Sequence, residues 1–329
     1  MRRREFITLI GGACAAWPLA ASAQQPRKIP RIGILWHAGN AEEEVPYIGW
    51  VRQGFTDLGY IEGKNIIFED RYPDEKPERF VALANELVSL NVDVLIAISI
   101  PAALAAQKAT ARIPIVMAPP PDPVALGLIA SLAHPGGNIT GISSMAHDLV
   151  AKRLQLFKEA IPKLSRVALL LNPNTPQDAD RAVTENRIAA DVLKISVEPV
   201  VARFAGDLEK VLSEVAERQY DGLIVSQHPM YFAERKQIGD LTLAKRIPTI
   251  CPAEVFVEAG GLISYGASWK PLFNAVAPYV KRILEGEKPA DMPVQQPVKF
   301  DLAINLKTAN ALGLEIPPTM IARADSVIE

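Results

Sequence analysis

This 329-residue sequence has only two cysteines, no long apolar run and no excess of either charge. Its 35 basic and 37 acidic side chains nearly cancel, so the composition offers no general basic surface for nucleic acid and no acidic tail. No apolar run reaches the about 20 residues of a stable membrane span. Nearly half of the residues are apolar, so we expect a globular protein, and the length favours two domains.

Signatures of catalysis are also missing. The first predicted strand leads to Trp36-His37-Ala38-Gly39-Asn40 and not to G-x-G-x-x-G, so a phosphate would have no glycine cradle. No Walker loop, nucleophile elbow or HExxH motif occurs. The four histidines are far apart and lack metal-ligand spacing: His37, His134, His147 and His228. We therefore expect that the protein is not an enzyme and that it has no cofactor and no metal site.

The N-terminus has the pattern of a cleaved export signal, predicted over residues 1–23. Three arginines precede an apolar run, and Ala21-Ser22-Ala23 fits an A-x-A cleavage site. Arg3-Arg4-Glu5-Phe6-Ile7 also resembles the twin-arginine pattern, so both that route and the general secretory route remain open. A lipid at Cys14 is the less favoured alternative, because no large apolar residue precedes it as in lipoprotein signals. Cys251 would then be the only cysteine of the mature chain, which excludes an intrachain disulfide.

Short apolar strands alternate with amphipathic helices from Arg31 to Ala118, and the alternation begins again near Val150. This pattern predicts an α/β protein with two Rossmann-like, doubly wound parallel-sheet lobes. Between them, Asp122 to Ser144 is predicted to cross as a short helix (124–132), a breaker cluster (134–138) and an extended piece (139–144). Further crossings are expected at 260–266 and 298–305. The predicted lobes are therefore 30–143 plus 266–297, and 144–265 plus 298–329.

Three stretches carry a resemblance to a known family. They are Gly54-Phe55 with Leu58 to Asn65, Asp122-Pro123-Val124 with Gly127-Leu128 and Pro135 to Gly141, and Gly260 to Gly266. With the export signal and the two lobes, the whole chain resembles the periplasmic substrate-binding proteins of ABC transporters, in the group related to the tryptophan/tyrosine binding proteins. The resemblance implies a type I binding-protein fold with a three-crossing hinge. It also implies a periplasmic monomer that closes on a small ligand and delivers it to a membrane permease with its ATPase.

The candidate site follows from the fold, because ligands of open parallel sheets lie beyond the carboxyl ends of the strands. Two facing sheets would place those ends on either side of one cleft. In the first lobe the candidates are His37, Asn40, Ser99, Ile100, Pro120 and Asp122. In the second lobe they are Ser143, Ser144, Met145, Asn172, Asn174, Gln227, His228, Tyr231 and Glu254.

Several candidates have an equally simple structural explanation. Ser99 precedes a predicted helix, so it can cap that helix, bind a carboxylate, or do both. Capping is the favoured role of Asp122, ahead of ligand contact. Only 6% of the residues are aromatic, which leaves few side chains to stack on a ligand ring. These are Trp36, Tyr47, Tyr231 and Phe232, each of which packing would explain as well.

The ligand class depends on a departure from the amino-acid-binding members of the group. Those members place an Asp after the second-lobe strand that here leads to Gln227-His228. A buried ammonium without a carboxylate partner is costly, so we expect an anionic or neutral ligand, for instance an aromatic or aliphatic carboxylate. An aromatic amino acid is the alternative. A sensory binding protein also remains open, whereas a lactose-repressor-type regulator would need a helix-turn-helix where the export signal lies.

Overall fold

The computed structural model describes residues 28–329, so the predicted export signal and Cys14 lie outside the described residues. Within 28–329, none of the helices combines the length and the apolar character that crossing a membrane requires. The described chain forms two sheets with helices packed on them.

The first sheet has five strands in the order β2-β1-β3-β4-β5, all parallel. Its strands are β1 (Arg31–Leu35), β2 (Ile67–Arg71), β3 (Val94–Ile98), β4 (Ile115–Ala118) and β5 (Ile139–Gly141). The connecting helices are α1 (Tyr47–Asp57), α2 (Pro77–Ser89) and α3 (Ile100–Ala109). Central strand β3 is buried over its whole length, as expected of a parallel strand with helices on both faces.

The second sheet has seven strands in the order β12-β11-β10-β9-β8-β6-β7. In chain order, its first half comprises β6 (Arg166–Leu171), β7 (Ser196–Val201), β8 (Gly222–Val225) and β9 (Thr249–Cys251). The remaining strands are β10 (Ile263–Ala267), β11 (Phe300–Asn305) and β12 (Ser326–Ile328). Strand β11 runs antiparallel to β10, so the expectation of a wholly parallel second sheet was wrong at this pair. Before β11 the chain returns from the first lobe, and β11 therefore runs through the second sheet in the opposite direction to β10.

The helices of the second half begin with α4 (Val150–Ala160), α5 (Pro176–Leu193), α6 (Leu208–Glu217), α7 (Pro229–Ala233), α8 (Arg235–Ala244) and α9 (Glu254–Glu258). Then follow α10 (Trp269–Asn274), α11 (Val276–Leu284), α12 (Leu306–Leu312) and α13 (Pro318–Ile321). Helices α10 and α11 pack on α1 and therefore lie with the first sheet. The absence of a side chain at Gly54 allows this close packing, because a Cβ there would overlap the Asn274 carbonyl oxygen.

The described chain passes between the two sheets three times: after β5, after β10 and before β11. The first and third passages lie side by side. Ser143 N–H donates to the Gln295 carbonyl (2.9 Å), and Gln295 N–H donates to the Gly141 carbonyl (2.9 Å). Two α/β lobes with a three-stranded hinge confirm the expected fold class, while the residue-level lobe boundaries stay a prediction.

No helix forms between Val124 and Leu132, so the predicted hinge helix was wrong. Asp122 Oδ1 accepts the N–H groups of Val124 and Ala125 (3.1 and 3.0 Å), which makes a turn, and Gly127 has a φ of +69°. The apolar spacing that suggested a helix is real, because Leu128 and Ile129 are buried in the first-lobe core. Those side chains reach the core from a succession of turns.

Gly141, in the hinge, is a position that tolerates a side chain poorly. Its φ is +137°, and a Cβ there would overlap the backbone of Met117 on β4. We expect Gly141→Ala to lower the free energy of unfolding by about 3 kcal/mol in urea titrations. Gly137→Ala is the matched control, because no atom lies within 4 Å of a Cβ at that exposed position. Equal stability of the two variants would contradict this account of the hinge.

Candidate ligand-binding site

The carboxyl ends of the strands of both sheets face one another, and side chains from the two lobes are in contact there. The Gln227 amide, after β8, donates to Ser144 Oγ (2.9 Å) and reaches the Pro119 carbonyl, after β4 (3.5 Å). Arg235 on α8 donates to the Val45 carbonyl of the first lobe (3.0 Å). The walls of the cleft are therefore in direct contact in this conformation.

An aromatic cavity of about 40 Å³ lies between the lobes. Its walls are formed by prolines and aromatic side chains together with a few polar groups. The lining residues are His37, Tyr47, Ile98, Ser99, Ile100, Pro119, Pro120, Pro121, Gln227, Pro229, Phe232, Trp269 and Phe273. Ligand pockets of proteins usually measure some hundreds of Å³, so a ligand of the size of an aromatic acid requires the lobes to move apart.

Four rings make one wall of the aromatic cavity. Tyr47 stacks on Phe273 with centroids 5.1 Å apart, and Trp269 stacks on Phe273 at 5.7 Å. Phe232, from the second lobe, packs against Trp269 at 4.6 Å. The Tyr47 hydroxyl is buried without a hydrogen-bond partner among residues 28–329. An apolar surface with one free hydroxyl is suited to an aromatic ring that carries a polar substituent.

A smaller polar chamber, of about 20 Å³, adjoins the aromatic cavity on the second-lobe side. Pro121 and Gln227 line both spaces. The other lining residues of the polar chamber are Ala146, His147, Val150, Arg153, Leu171, Asn172, Asp178, Ala182, Asn186, Ile224, Ser226 and His228. Polar groups are thus concentrated on one side of the cleft and rings on the other.

Most polar groups of the chamber are held by protein partners. Asn172 donates to the Arg203 carbonyl (3.1 Å) and accepts from Asn174 N–H (2.9 Å), so it holds the turn after β6. His147 Nε2 lies 2.9 Å from Asp178 Oδ1. His228 caps α7, because its Nδ1 accepts the Met230 N–H at 3.2 Å. The other ring nitrogen of His228, Nε2, is buried without a partner among the described residues.

His37 carries the positive charge nearest to the aromatic cavity. Its Nδ1 lies 2.7 Å from Glu75 Oε1, and its Nε2 lies 3.4 Å from Glu44 Oε2 at an angle that forms no hydrogen bond. Burial lowers the pKa of His37, but the carboxylates of Glu44 and Glu75 outweigh burial and raise the pKa to about 9. Buried His228 shows the opposite behaviour: desolvation, assisted by the charge on His37, lowers its pKa to about 3. At neutral pH the imidazole of His37 is therefore charged and that of His228 is neutral.

Ser99 caps α3, since its Oγ accepts the Ala102 N–H at 3.3 Å. Its φ of +109° is unusual for a residue with a side chain, and such strain persists where the surroundings hold it in place. The Ser99 carbonyl and N–H belong to the strand-to-helix turn that borders the aromatic cavity. The capping role predicted for Ser99 is confirmed, and its contact with a ligand stays a prediction.

The structure brings most of the candidate residues to the two cavities. His37, Ser99, Ile100, Pro120 and Gln227 line the aromatic cavity, and Asn172, Gln227 and His228 line the polar chamber. Ser143 and Ser144 line neither cavity, but they hydrogen-bond to residues that do. Ser143 Oγ donates to the Pro120 carbonyl (3.0 Å), and Ser144 contacts Gln227.

Six candidates lie away from both cavities. Asn40 and Asn174 face outward in turns, and Met145 occupies the turn after Ser144. Tyr231 is fully buried in the second-lobe core, where its hydroxyl donates to the Ala202 carbonyl (3.3 Å). Glu254 borders a separate groove with Trp50.

Asp122 is the sixth of these candidates, and it has a structural role. It makes the turn described above and pairs with Arg181 on α5. This ion pair joins the hinge segment to the second lobe. The favoured prediction, that Asp122 caps the hinge helix, was wrong because no helix forms there; the side chain makes a turn and an ion pair instead.

Several lining residues were not predicted, and among them are two aromatic and two charged side chains. Trp269 and Phe273 lie on α10, far along the chain from the strand ends used to locate the site. Arg153 and Asp178 project from the first turns of α4 and α5, where a charged residue is ordinarily solvated. Ser268-Trp269, directly after strand β10, was the one available signal. It follows the same strand-end rule as the residues that were found.

Two facing α/β lobes, three hinge crossings and a cavity between the lobes define a two-lobed ligand-binding protein of the periplasmic type I fold. A family model described as ABC transporter substrate binding protein matches residues 45–328, and the chain belongs to that family.

The chain is similar to several other proteins. A tyrosine-binding protein of Clostridioides difficile is 27% identical over 282 residues, covering 83% of this chain and 79% of that protein. A crystal structure of a conserved domain protein from Vibrio cholerae is 28% identical with a TM-score of 0.85, covering 91% of this chain and all of the other. An ABC domain in complex with L-Trp from Streptococcus pneumonia is 24% identical with a TM-score of 0.82, covering 91% of this chain and 99% of that chain. These likenesses confirm the fold and the family.

The raised pKa of His37 predicts a pH-dependent stability. A histidine with a folded pKa of about 9 and an ordinary value of 6.5 stabilises the fold fully below pH 6.5 and loses this contribution as the pH rises to about 9. The loss should amount to about 3 kcal/mol. We expect the stability difference between the wild type and His37→Gln, from urea unfolding, to shrink across this range. A constant difference would show that His37 is not charged in the fold.

Proposed function

We propose that this protein is the periplasmic substrate-binding component of an ABC importer. It closes two lobes on a small organic ligand, a carboxylate or an aromatic compound, and delivers the ligand to a membrane permease with its ATPase. The observation that carries this proposal is the aromatic cavity, formed by residues of both lobes at the carboxyl ends of their strands. Membership of the substrate-binding family supports it.

The walls of the aromatic cavity suit a flat ring. Tyr47, Trp269 and Phe273 come from the first lobe and Phe232 from the second, so a ring held between them contacts both lobes. Aromatic pairs contribute about 0.5–1.5 kcal/mol beyond area burial. Contacts made only when the lobes are together favour the closed conformation, which is how ligand binding would drive closure.

An aromatic amino acid is the second candidate, and Asp178 is the observation that favours it. This carboxylate lines the polar chamber, where an ammonium group could approach it. The relative from Clostridioides difficile is a tyrosine-binding protein. Against this candidate, Asp178 already contacts His147, and Gln227-His228 follow β8 where the amino-acid-binding members place an Asp.

The remaining parts of the proposal concern setting and partners. We place the protein in the periplasm as a monomer, exported by the twin-arginine or the general secretory route, without catalytic activity and without nucleic acid as a partner. A sensory role, in which the loaded protein contacts a receptor, would use the same site. Neighbouring genes for a permease and an ATPase would favour transport over sensing.

A ligand screen tests the proposed function. We expect at least one compound among carboxylates, aromatic amino acids and sugars to raise the melting temperature, because a ligand that binds only the folded state stabilises it by mass action. The same compound should reduce the radius of gyration in X-ray scattering as the lobes close. A screen without any thermal shift or compaction would refute the proposal. Tight binding of tryptophan or tyrosine in calorimetry would favour the amino-acid candidate.

Trp269 provides a test of the ring-binding wall. We expect Trp269→Leu to weaken the ligand found in the screen by about tenfold, because the largest ring of the aromatic cavity is lost. Trp50→Leu is the matched control, since Trp50 packs on Tyr47 and Phe273 from outside and does not line the cavity. Equal losses in both variants would indicate a packing role for Trp269.

A further inference from the structure

Arg153 is a buried cation that the fold alone does not neutralise. Only 5% of its surface is exposed, and no carboxylate of residues 28–329 lies within ion-pairing distance of its guanidinium. Its Nε donates to the Tyr265 carbonyl (3.0 Å), and its Nη2 donates to the Ala146 carbonyl (2.6 Å). Burial lowers the pKa of Arg153 to about 10, so the group stays charged at neutral pH.

A buried cation without a counter-charge is costly, and a guanidinium has five N–H donors, more than these two carbonyls use. The side chain lines the polar chamber. An anion in the chamber would therefore find a charged group that still has donors to offer. Asp178 also lines the chamber, but it contacts His147 and not Arg153.

His228 provides a second donor in the same space. Its Nδ1 accepts a backbone N–H, and its lowered pKa keeps the ring neutral, so the proton lies on Nε2. This N–H is buried without an acceptor among the described residues, in a side chain that is 7% exposed. An unpaired buried donor costs free energy unless a ligand supplies the acceptor. Arg153 and His228 thus both have N–H donors that an anionic oxygen could accept from.

We propose that the polar chamber is the acid-recognition subsite, in which Arg153 and His228 bind the carboxylate of the ligand while its apolar body lies in the aromatic cavity. Gln227 and Pro121 line both spaces, so one ligand can reach both once the lobes move apart enough to admit it. The chamber, at about 20 Å³, has room for a group about as small as a carboxylate. This inference rests on the proposed function and fixes the orientation of the ligand across the cleft.

The test compares acids with their primary amides, which have nearly the same shape and no charge. The probes are benzoate, phenylacetate, 4-hydroxyphenylacetate and cinnamate, each titrated beside its amide in calorimetry. We expect at least one acid to bind, and to bind about tenfold or more tightly than its amide, because charge-assisted hydrogen bonds are about twice as strong as neutral ones. An amide that binds as tightly as its acid would overturn the proposal, as would four acids that fail to bind at millimolar concentration.

His228→Asn is the first variant, because Asn keeps an acceptor for the Met230 N–H and removes the Nε2 donor. Arg153→Lys is the second, since it retains the charge and loses the planar fork. We expect each variant to lower the ratio of acid to amide affinity by about fivefold or more. His134→Asn, on the exposed surface, is the matched control and should leave the ratio unchanged.

The ratio separates recognition from structural support. Arg153 also ties together the carbonyls of two hinge segments, and loss of that support would weaken acid and amide alike. An unchanged ratio in both folded variants would refute acid recognition by this chamber. If uncharged compounds bind and close the lobes while the acids do not, the proposed function stands and the acid subsite is wrong. If nothing binds in the wider screen, the proposed function fails as well.

Discussion

Everything in this molecule depends on the backbone pairing of two hinge segments. The chain leaves the first sheet at Gly141 and returns to the second through Gln295, and the two segments exchange hydrogen bonds along their length. Thr140 Oγ1 adds a bond to the Met292 carbonyl (2.7 Å). Both segments are held in one register, and this pairing helps to hold the two sheets with their carboxyl ends facing each other.

The two lobes bring different chemistry to the cleft. The first lobe supplies three of the four rings and a charged imidazole, which is stabilised by the carboxylates of that lobe. The second lobe supplies neutral His228, the Gln227 amide and the Arg153 guanidinium. A ligand that satisfies both sides needs an apolar part and a polar part at opposite ends. Selectivity would then come from the match between the ligand and two unlike walls.

One rule, that ligands bind at the carboxyl ends of parallel strands, was enough to predict part of this site from the sequence. His37, Ser99, Gln227 and His228 follow strands, and the carboxyl ends of parallel strands define the cleft whatever the side-chain contacts are. The rule does not say which way a side chain points, so it also selected Tyr231, whose ring is buried in the core. The prediction of a hinge helix was wrong because apolar spacing indicates only which side chains are buried. Residues in turns can also place their side chains in the core.

The aromatic wall could not have been predicted in the same way. Trp269 and Phe273 reach the cleft because α10 packs against α1, which is more than 200 residues earlier in the chain. Arg153 appeared as an ordinary helix residue, and only the three-dimensional structure reveals that no carboxylate of the described chain neutralises it. Local patterns therefore predicted the strands and the strand ends, whereas long-range packing determined which rings and charges meet.

Buried Cys251 has a consequence for how this protein folds. Its thiol is almost inaccessible to solvent, and burial, opposed by a hydrogen bond with Thr249, raises its pKa to about 12. Such a thiol hardly forms the reactive thiolate. Folding of residues 28–329 therefore requires no oxidant and no disulfide isomerase. The same native structure can form in a reducing compartment or in an oxidising one.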